Sequence, residues 1–246
     1  MGRENQVPHS SVATGQEGGT RVFWIDQIRG SGICLMIIYH FLYDLRALGV
    51  SNVIHEDSSF WKIGHVCIAG IFFYACGAGQ RAGWVLKKGG FGWWRFFQVV
   101  GAAMAVSVAT FLVSPDNWIH FGILHAIAFC ILVTIPLRRF PSAAGFLSLS
   151  LGALFLLTGW TWSPLSLSKD SLDYVVVFPW IAVVLAGMAS FSVLDKALSP
   201  YSLNIPNRAG KTLRFLGRRS LALYLLHQPV LIFLAFGLRR LQTCIS

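Results

Sequence analysis

Residues 96–114 read FFQVVGAAMAVSVATFLVS, and no charged side chain interrupts them. A helix needs about 20 consecutive apolar residues to cross the hydrocarbon core of a bilayer, so this stretch is long enough to span a membrane. Six more stretches have a similar length and character, at 27–46, 61–80, 118–136, 143–161, 174–193 and 218–238. The pattern predicts an all-α integral membrane protein built as a bundle of about seven transmembrane helices.

Composition supports this class. Charged residues make up 12% of the 246-residue chain, where soluble proteins carry roughly 25%, and the mean hydropathy is +0.62. The five cysteines show neither a CxxC pair nor a Cys/His spacing typical of metal sites, so we predict no metal and no disulfide framework. Residues 1–20 contain no large apolar cluster and are predicted to form a disordered tail. Residues 21–240 are expected to form a single transmembrane domain.

The basic residues predict the orientation of the bundle. The formal net charge of +10 comes from short clusters of Lys and Arg between the apolar stretches. With the N-terminus in the cytoplasm, 15 basic residues fall on the inner side and 5 on the outer side, as the positive-inside rule requires. We find no nucleic-acid-binding motif and no contiguous basic face, so nucleic acid is not expected as a partner. The expected partner is the lipid bilayer.

The first apolar stretch carries an unusual set of polar residues. Only 14 uncharged residues separate Arg29 from Asp44, so a helix of spanning length must bring at least one of these charges close to the hydrocarbon. At 100° per residue, Asp26, Arg29, His40 and Asp44 fall within roughly 60° of one another. Polar groups at this depth face a partner or a cavity, and this stripe therefore marks a candidate site.

Two pairings are possible along the stripe. Asp26 and Arg29 are three residues apart, and His40 and Asp44 are four apart, so each pair can interact on a helix. A carboxylate beside an imidazole orients the ring and raises its basicity, as a general base requires. The alternative is that these pairs neutralise each other and fix helix packing.

Other polar residues interrupt the later apolar stretches. His125 lies inside one of them, either as a functional group or as a core histidine with a polar partner. His227 and Gln228 precede Pro229, which disturbs the last helix. Either the two polar side chains and the carbonyls freed by the proline line a cavity, or Pro229 only introduces a kink. Asp173 precedes the sixth stretch, where it could bind the hydroxyl groups of an acceptor.

The chain also resembles a known family. The matching motifs are RVFWIDQIRG from Arg21, MIIYHFLYDL from Met36, FGILH from Phe121, Asp173-Tyr174 with Phe178-Pro179-Trp180, LGRRSL from Leu216 and YLLHQP from Tyr224. They resemble bacterial proteins similar to the catalytic domain of heparan-α-glucosaminide N-acetyltransferase, over about residues 21–235. The ten-residue interval between Arg29 and His40 is also shared with the wider group of transmembrane acyltransferases, where the histidine is implicated in acyl transfer.

The resemblance implies an enzyme of the bacterial inner membrane. It would take an acyl group, most simply acetyl, from cytoplasmic acetyl-CoA to an acceptor on the far side, often a sugar or glycan. Arg218 and Arg219 lie in a matched motif and could bind CoA phosphates, although topology alone also explains them. Larger animal members place asparagine where His40 stands and a histidine in the following loop, where this chain has His55. The catalytic histidine is therefore His40, His55 or His125.

Two other classes use the same residue types. Intramembrane Asp, Arg and His also build relays in proton-coupled transporters, which often contain repeated halves; we find no repeat. A b-type haem protein would use histidines as axial ligands, and the candidates are His40, His65, His125 and His227.

Overall fold

The computed structural model describes residues 22–50, 58–165, 171, 173–204 and 208–245. The predicted tail at 1–20 and the candidate His55 lie outside the described residues. Within them the chain is helical, apart from loops and one isolated antiparallel bridge between Trp162 and Phe178. The helices are α1 (Phe23–Ala47), α2 (Ser59–Leu86), α3 (Trp93–Val113), α4 (Ile123–Thr134), α5 (Pro141–Thr158), α6 (Trp180–Asn204), α7 (Arg208–Arg218) and α8 (Ser220–Ile245), with a 3₁₀ helix at Ile135–Arg139 after α4. The predicted all-α class is confirmed.

Five of the described helices are long and apolar enough to cross a membrane, where the sequence predicted about seven. These are α2, α3, α5, α6 and α8. Helix α1 has sufficient length at 25 residues, but its polar stripe lowers its hydropathy. Helix α4 has only 12 residues, about 18 Å, before the chain tightens into the 3₁₀ helix.

Helix α7 was not predicted, because it lies in a segment that the charge pattern indicated as a cytoplasmic loop. It is strongly amphipathic and packs along the beginning of α1. A Cβ atom at Gly217 would overlap the backbone carbonyl of Asp26, and one at Gly30 would overlap that of Leu213. The two helices are thus in direct backbone contact, which only glycine permits at these points.

Helices α2 and α6 form the other close crossing. A Cβ atom at Gly77 would overlap the Val184 carbonyl, and one at Gly187 would overlap the Tyr74 carbonyl. Beside this contact the Tyr74 hydroxyl hydrogen-bonds Ser190 at 2.5 Å. Large apolar side chains of α3, α5 and α8 point outward, among them Leu112, Leu156 and Phe233. Their exposure is what a lipid-facing surface requires.

Candidate active site

A cavity of about 750 Å³ opens at one end of the bundle. Its walls come from the beginnings of α1, α3 and α8, the end of α2, and α4 with its 3₁₀ extension. The charged side chains of its lining are Arg29, Lys87, Arg95, Arg138, Arg218, Arg219 and Asp26. Six cations against one carboxylate favour an anionic ligand, because ammonium and guanidinium groups bind phosphates through charge-assisted hydrogen bonds.

Asp26 links two of these cations. Its carboxylate lies 4.0 Å from the Arg29 guanidinium and 3.8 Å from Nε of Arg218. Arg29 also donates a hydrogen bond to the Ala75 carbonyl at 3.2 Å. The predicted pairing of Asp26 with Arg29 is present, and the contact with Arg218 joins it to the last residue of α7. These contacts hold the beginning of α1 against α2 and against the end of α7.

Arg138 is a buried cation of the cavity that we did not single out from the sequence. Its guanidinium lies 4.7 Å from the ring centre of Phe91 and 5.4 Å from that of Trp84, and its Nε donates to the Ile135 carbonyl at 3.1 Å. An arginine side chain remains charged in proteins. A positive charge held by two aromatic rings remains available to an anion in the cavity.

The far end of the cavity is apolar. Ile123 and Leu124 contribute to it from the beginning of α4, at the opposite end of that helix from Arg138. Tyr224 lines the same region from α8 and, like Phe72, packs against the buried cluster of Ile33, Met36 and Ile68. The lining therefore changes from charged to apolar with depth, which suits a ligand with a phosphate-bearing head and a thin, uncharged tail.

Tyr224 connects the cavity to a cluster of polar side chains. Its backbone carbonyl accepts a hydrogen bond from Nδ1 of His227 at 2.6 Å, and the two rings lie 5.5 Å apart. The His227 ring in turn lies 5.0 Å from that of His40 on α1. On the next residue of α8, the Gln228 amide donates to both oxygens of Asp44, at 3.1 and 3.3 Å. Four predicted site residues from α1 and α8 are thus brought together.

The partner of Asp44 differs from the prediction. We expected its carboxylate to orient His40 one turn away, but among the described residues it accepts its hydrogen bonds from Gln228. The reason is the packing of α8 against α1, which brings a strong amide donor to a buried carboxylate. His40 is instead flanked by aromatic rings, those of His227 and Tyr39.

His125 lies apart from this cluster and has structural partners on both nitrogens. Its Nδ1 accepts from the Gly122 N–H at 3.3 Å, so in the neutral ring Nε2 carries the proton. That N–H faces the Ser107 hydroxyl at 3.2 Å, which donates to the Ile119 carbonyl at 2.7 Å. This chain of hydrogen bonds fastens the loop before α4 to α3.

Asp173 lies at the opposite side of that loop. Its carboxylate accepts a hydrogen bond from the Ile123 N–H and lies 3.1 Å from the position that a Cβ atom at Gly122 would take. Burial raises the pKa of Asp173, and the nearby His65 together with the Ile123 N–H opposes that rise. The carboxyl group is close enough to the Tyr224 hydroxyl to act on it electrostatically. Asp173 therefore lies between the loop and the polar cluster.

The predicted site residues thus divide into three groups. Asp26, Arg29, Arg218 and Arg219 lie in the basic cavity. His40, Asp44, His227 and Gln228 form the polar cluster, and His125 and Asp173 hold the loop before α4. Sequence reasoning missed Lys87, Arg95, Arg138 and Tyr224. The three basic residues were counted only as topology signals, since nothing in a charge count shows that they converge on one cavity.

Comparison with known families decides the assignment. Residues 21–229 match the family model for heparan-alpha-glucosaminide N-acetyltransferase, catalytic. The chain belongs to this family. The match covers the basic cavity, the polar cluster and every helix except the end of α8, and it indicates a membrane transferase of the acetyl type. No curated protein and no solved structure matches the chain.

The described residues contain no group of three or more His, Cys, Asp or Glu side chains placed to hold a metal ion.

Proposed function

We propose that this protein is a membrane acyltransferase that moves an acyl group, most simply acetyl, from cytoplasmic acyl-CoA to an acceptor at or beyond the outer side of the membrane. The observation that carries the proposal is the basic cavity whose apolar end leads, through Tyr224, to the histidine cluster. Family membership supports the acetyl transfer, and the acceptor is most simply a sugar or glycan.

The donor would bind with its phosphates among the cations. Lys87, Arg95 and Arg219 have exposed side chains in the cavity lining, so they can reach a soluble ligand, whereas Arg138 supplies a buried charge. The uncharged arm of CoA would follow the apolar lining past Leu124 and bring the thioester toward the histidines. The acceptor would reach the same point from the other side.

His40 would act as base or relay for the acceptor nucleophile. The hydroxyl or amine of the acceptor attacks the thioester carbonyl, the carbon–sulfur bond breaks, and the proton lost by the nucleophile ends on the CoA sulfur. Arg29 lies 11 residues before His40, about 16 Å along α1, so it belongs to the donor end of the site. One helix would thus serve both substrates.

This function requires an orientation, which we also propose. Together with the five candidate spans, α1 and the α4–3₁₀ segment would complete seven crossings, with the N-terminus in the cytoplasm of a bacterial inner membrane. The ends of helices that form the basic cavity would then all face the cytoplasm, and acyl-CoA is made there.

The first test measures acetyl-CoA binding and release of free CoA thiol by detergent-purified protein, with a cell-envelope extract as the source of acceptor. Lys87→Gln and Arg219→Gln should each weaken acetyl-CoA binding about tenfold or more, since a hydrogen bond to a charged group contributes about 1.5–3 kcal/mol. Arg239→Gln, an exposed cation at the other end of α8, is the matched control and should bind like the wild type.

Release of CoA that depends on the extract and is lost in His40→Gln would support transfer through His40. Release that persists in this variant would keep the enzyme class but move the chemistry to another histidine. A wild-type protein that neither binds acetyl-CoA nor releases CoA would overturn the proposal and favour a transporter.

A further inference from the structure

His227 has a defined tautomer. Its Nδ1 lies 2.6 Å from the Tyr224 carbonyl oxygen, and a carbonyl can only accept, so Nδ1 carries the proton. Its Nε2 is buried and has no hydrogen-bond partner among the described residues. A second proton there would place an unsatisfied N–H and a charge in a buried position, which is costly. The ring is therefore neutral, with a lone pair on Nε2.

The neighbouring residue adds a second buried acceptor. The Gln228 amide nitrogen donates its hydrogen bonds to Asp44. Its Oε1 is buried and has no hydrogen-bond partner among the described residues. Two consecutive residues of α8 thus present unpaired acceptors, an imidazole nitrogen and an amide oxygen. Because buried polar atoms are nearly always paired, the ligand that complements them carries O–H or N–H groups.

We propose that His227 is the general base of the transfer reaction, and that its Nε2 contacts a hydroxyl or amine of the acceptor. The inference rests on the proposed function and narrows it, because the sequence predicted for His227 no more than a place in the lining of a cavity. His40, whose ring lies 5.0 Å away, keeps the relay part of its role. The hydrogen bond to Tyr224 fixes Nε2 just beyond the apolar end of the donor cavity.

The step balances in protons and electrons. The acceptor oxygen or nitrogen forms a bond to the thioester carbon while its proton passes to Nε2 of His227. The tetrahedral intermediate then collapses, the carbon–sulfur bond breaks, and that proton is delivered to the departing sulfur. The products are the acylated acceptor and CoA thiol, and His227 returns to its neutral form.

Two substitutions separate this role from a structural one. In His227→Asn the side-chain amide can still donate to the Tyr224 carbonyl but no atom replaces Nε2. In His227→Gln a polar group lies near the position of Nε2, but the donor at Nδ1 is lost. If His227 only fastens the helix, the Asn variant keeps activity and the Gln variant does not. If it is the base, both lose activity.

The experiment compares both variants with the wild type in three measurements: acetyl-CoA affinity, thermal stability, and kcat for CoA release with envelope extract or with glucosamine as the acceptor probe. We expect His227→Asn to keep wild-type affinity and stability while kcat falls 10²- to 10⁴-fold, the usual contribution of a general base. A kcat within about threefold of wild type would overturn the inference.

A measurement independent of activity decides the tautomer. The difference between ¹⁵N-histidine spectra of the wild type and His227→Asn should contain one neutral imidazole protonated at Nδ1. A signal protonated at Nε2 would overturn the inference even if the variant is inactive. If the wild type binds no acetyl-CoA, the proposed function fails, and the spectrum still reports on His227 separately.

Discussion

Asp173 and His125 hold the same short loop from two sides. His125 accepts a hydrogen bond from the Gly122 N–H, while Asp173 accepts one from the Ile123 N–H and lies close to Gly122. Glycine is needed there, since a Cβ would come within 3.1 Å of the Asp173 carboxylate and 2.8 Å of the Ile119 side chain. The loop closes the apolar end of the cavity, because Ile123 follows it directly.

The first prediction concerns the structural role of His125. Replacement by Ala removes both hydrogen bonds that tie the loop to Ser107 and Gly122, so we expect the free energy of unfolding to fall by about 1–3 kcal/mol. The kcat per folded molecule should stay within about threefold of wild type, since neither ring nitrogen is available for chemistry. Thermal unfolding in detergent checks the loss of stability, and the rate of CoA release checks the kcat. A stable variant with a large loss of kcat would return His125 to the catalytic candidates.

The second concerns the charge on Asp173. Because folding raises the pKa of this carboxyl group, its ionisation destabilises the folded state. This loss of stability is fully present above the folded-state pKa and disappears as the pH falls below the unfolded-state pKa. Asp173→Asn should therefore unfold at a higher temperature than wild type at neutral pH, with the difference shrinking toward acid. Asp116→Asn, at an exposed position of the α3–α4 connection, is the control. A difference that grows on acidification would contradict the argument.

Among the helices, the sequence predicted those that contain a long apolar stretch. The stretch 27–46 lies within α1, and the stretch 218–238 lies within α8 except for its first two residues. Helix α7 could not be found in this way, because a short amphipathic helix has no long apolar run. Nor could Gln228 be predicted as the partner of Asp44, since 184 residues separate them and only the packing of α8 on α1 brings them together.

The contact between α7 and α1 gives the third prediction. Gly217→Ala would force a Cβ into the Asp26 carbonyl, so we expect a loss of about 1–3 kcal/mol of stability, the usual cost of overpacking. It should also weaken acetyl-CoA binding, because Arg218 follows directly and pairs with Asp26 in the cavity. Gly101→Ala in α3, where a Cβ meets nothing within 4 Å, is the matched control and should be neutral or mildly stabilising. Equal behaviour of the two variants in thermal unfolding would refute the close approach.

For the molecule as a whole, the sequence predicted a helical membrane protein and a polar stripe on the first helix, and it resembled the family that the chain belongs to. It could not predict the cavity. Lys87, Arg95, Arg138 and Arg219 lie on different elements, and each alone is explained by the positive-inside rule. Only the packed bundle shows that these basic residues also form one electropositive wall, so the proposed orientation and the proposed donor binding would depend on the same residues.

That dependence gives the last prediction. If the basic cavity faces the cytoplasm, the α2–α3 connection must be cytoplasmic and the α3–α4 connection must lie outside. In a variant whose five cysteines are replaced, Lys88→Cys should react with a membrane-impermeant maleimide only after the cells are opened, and Asp116→Cys should react in intact cells. Both positions are exposed loop residues at opposite ends of α3, so each controls for the reactivity of the other. The reverse labelling pattern would place the cavity outside, away from the cytoplasmic acyl-CoA pool, and the donor assignment would fail with it.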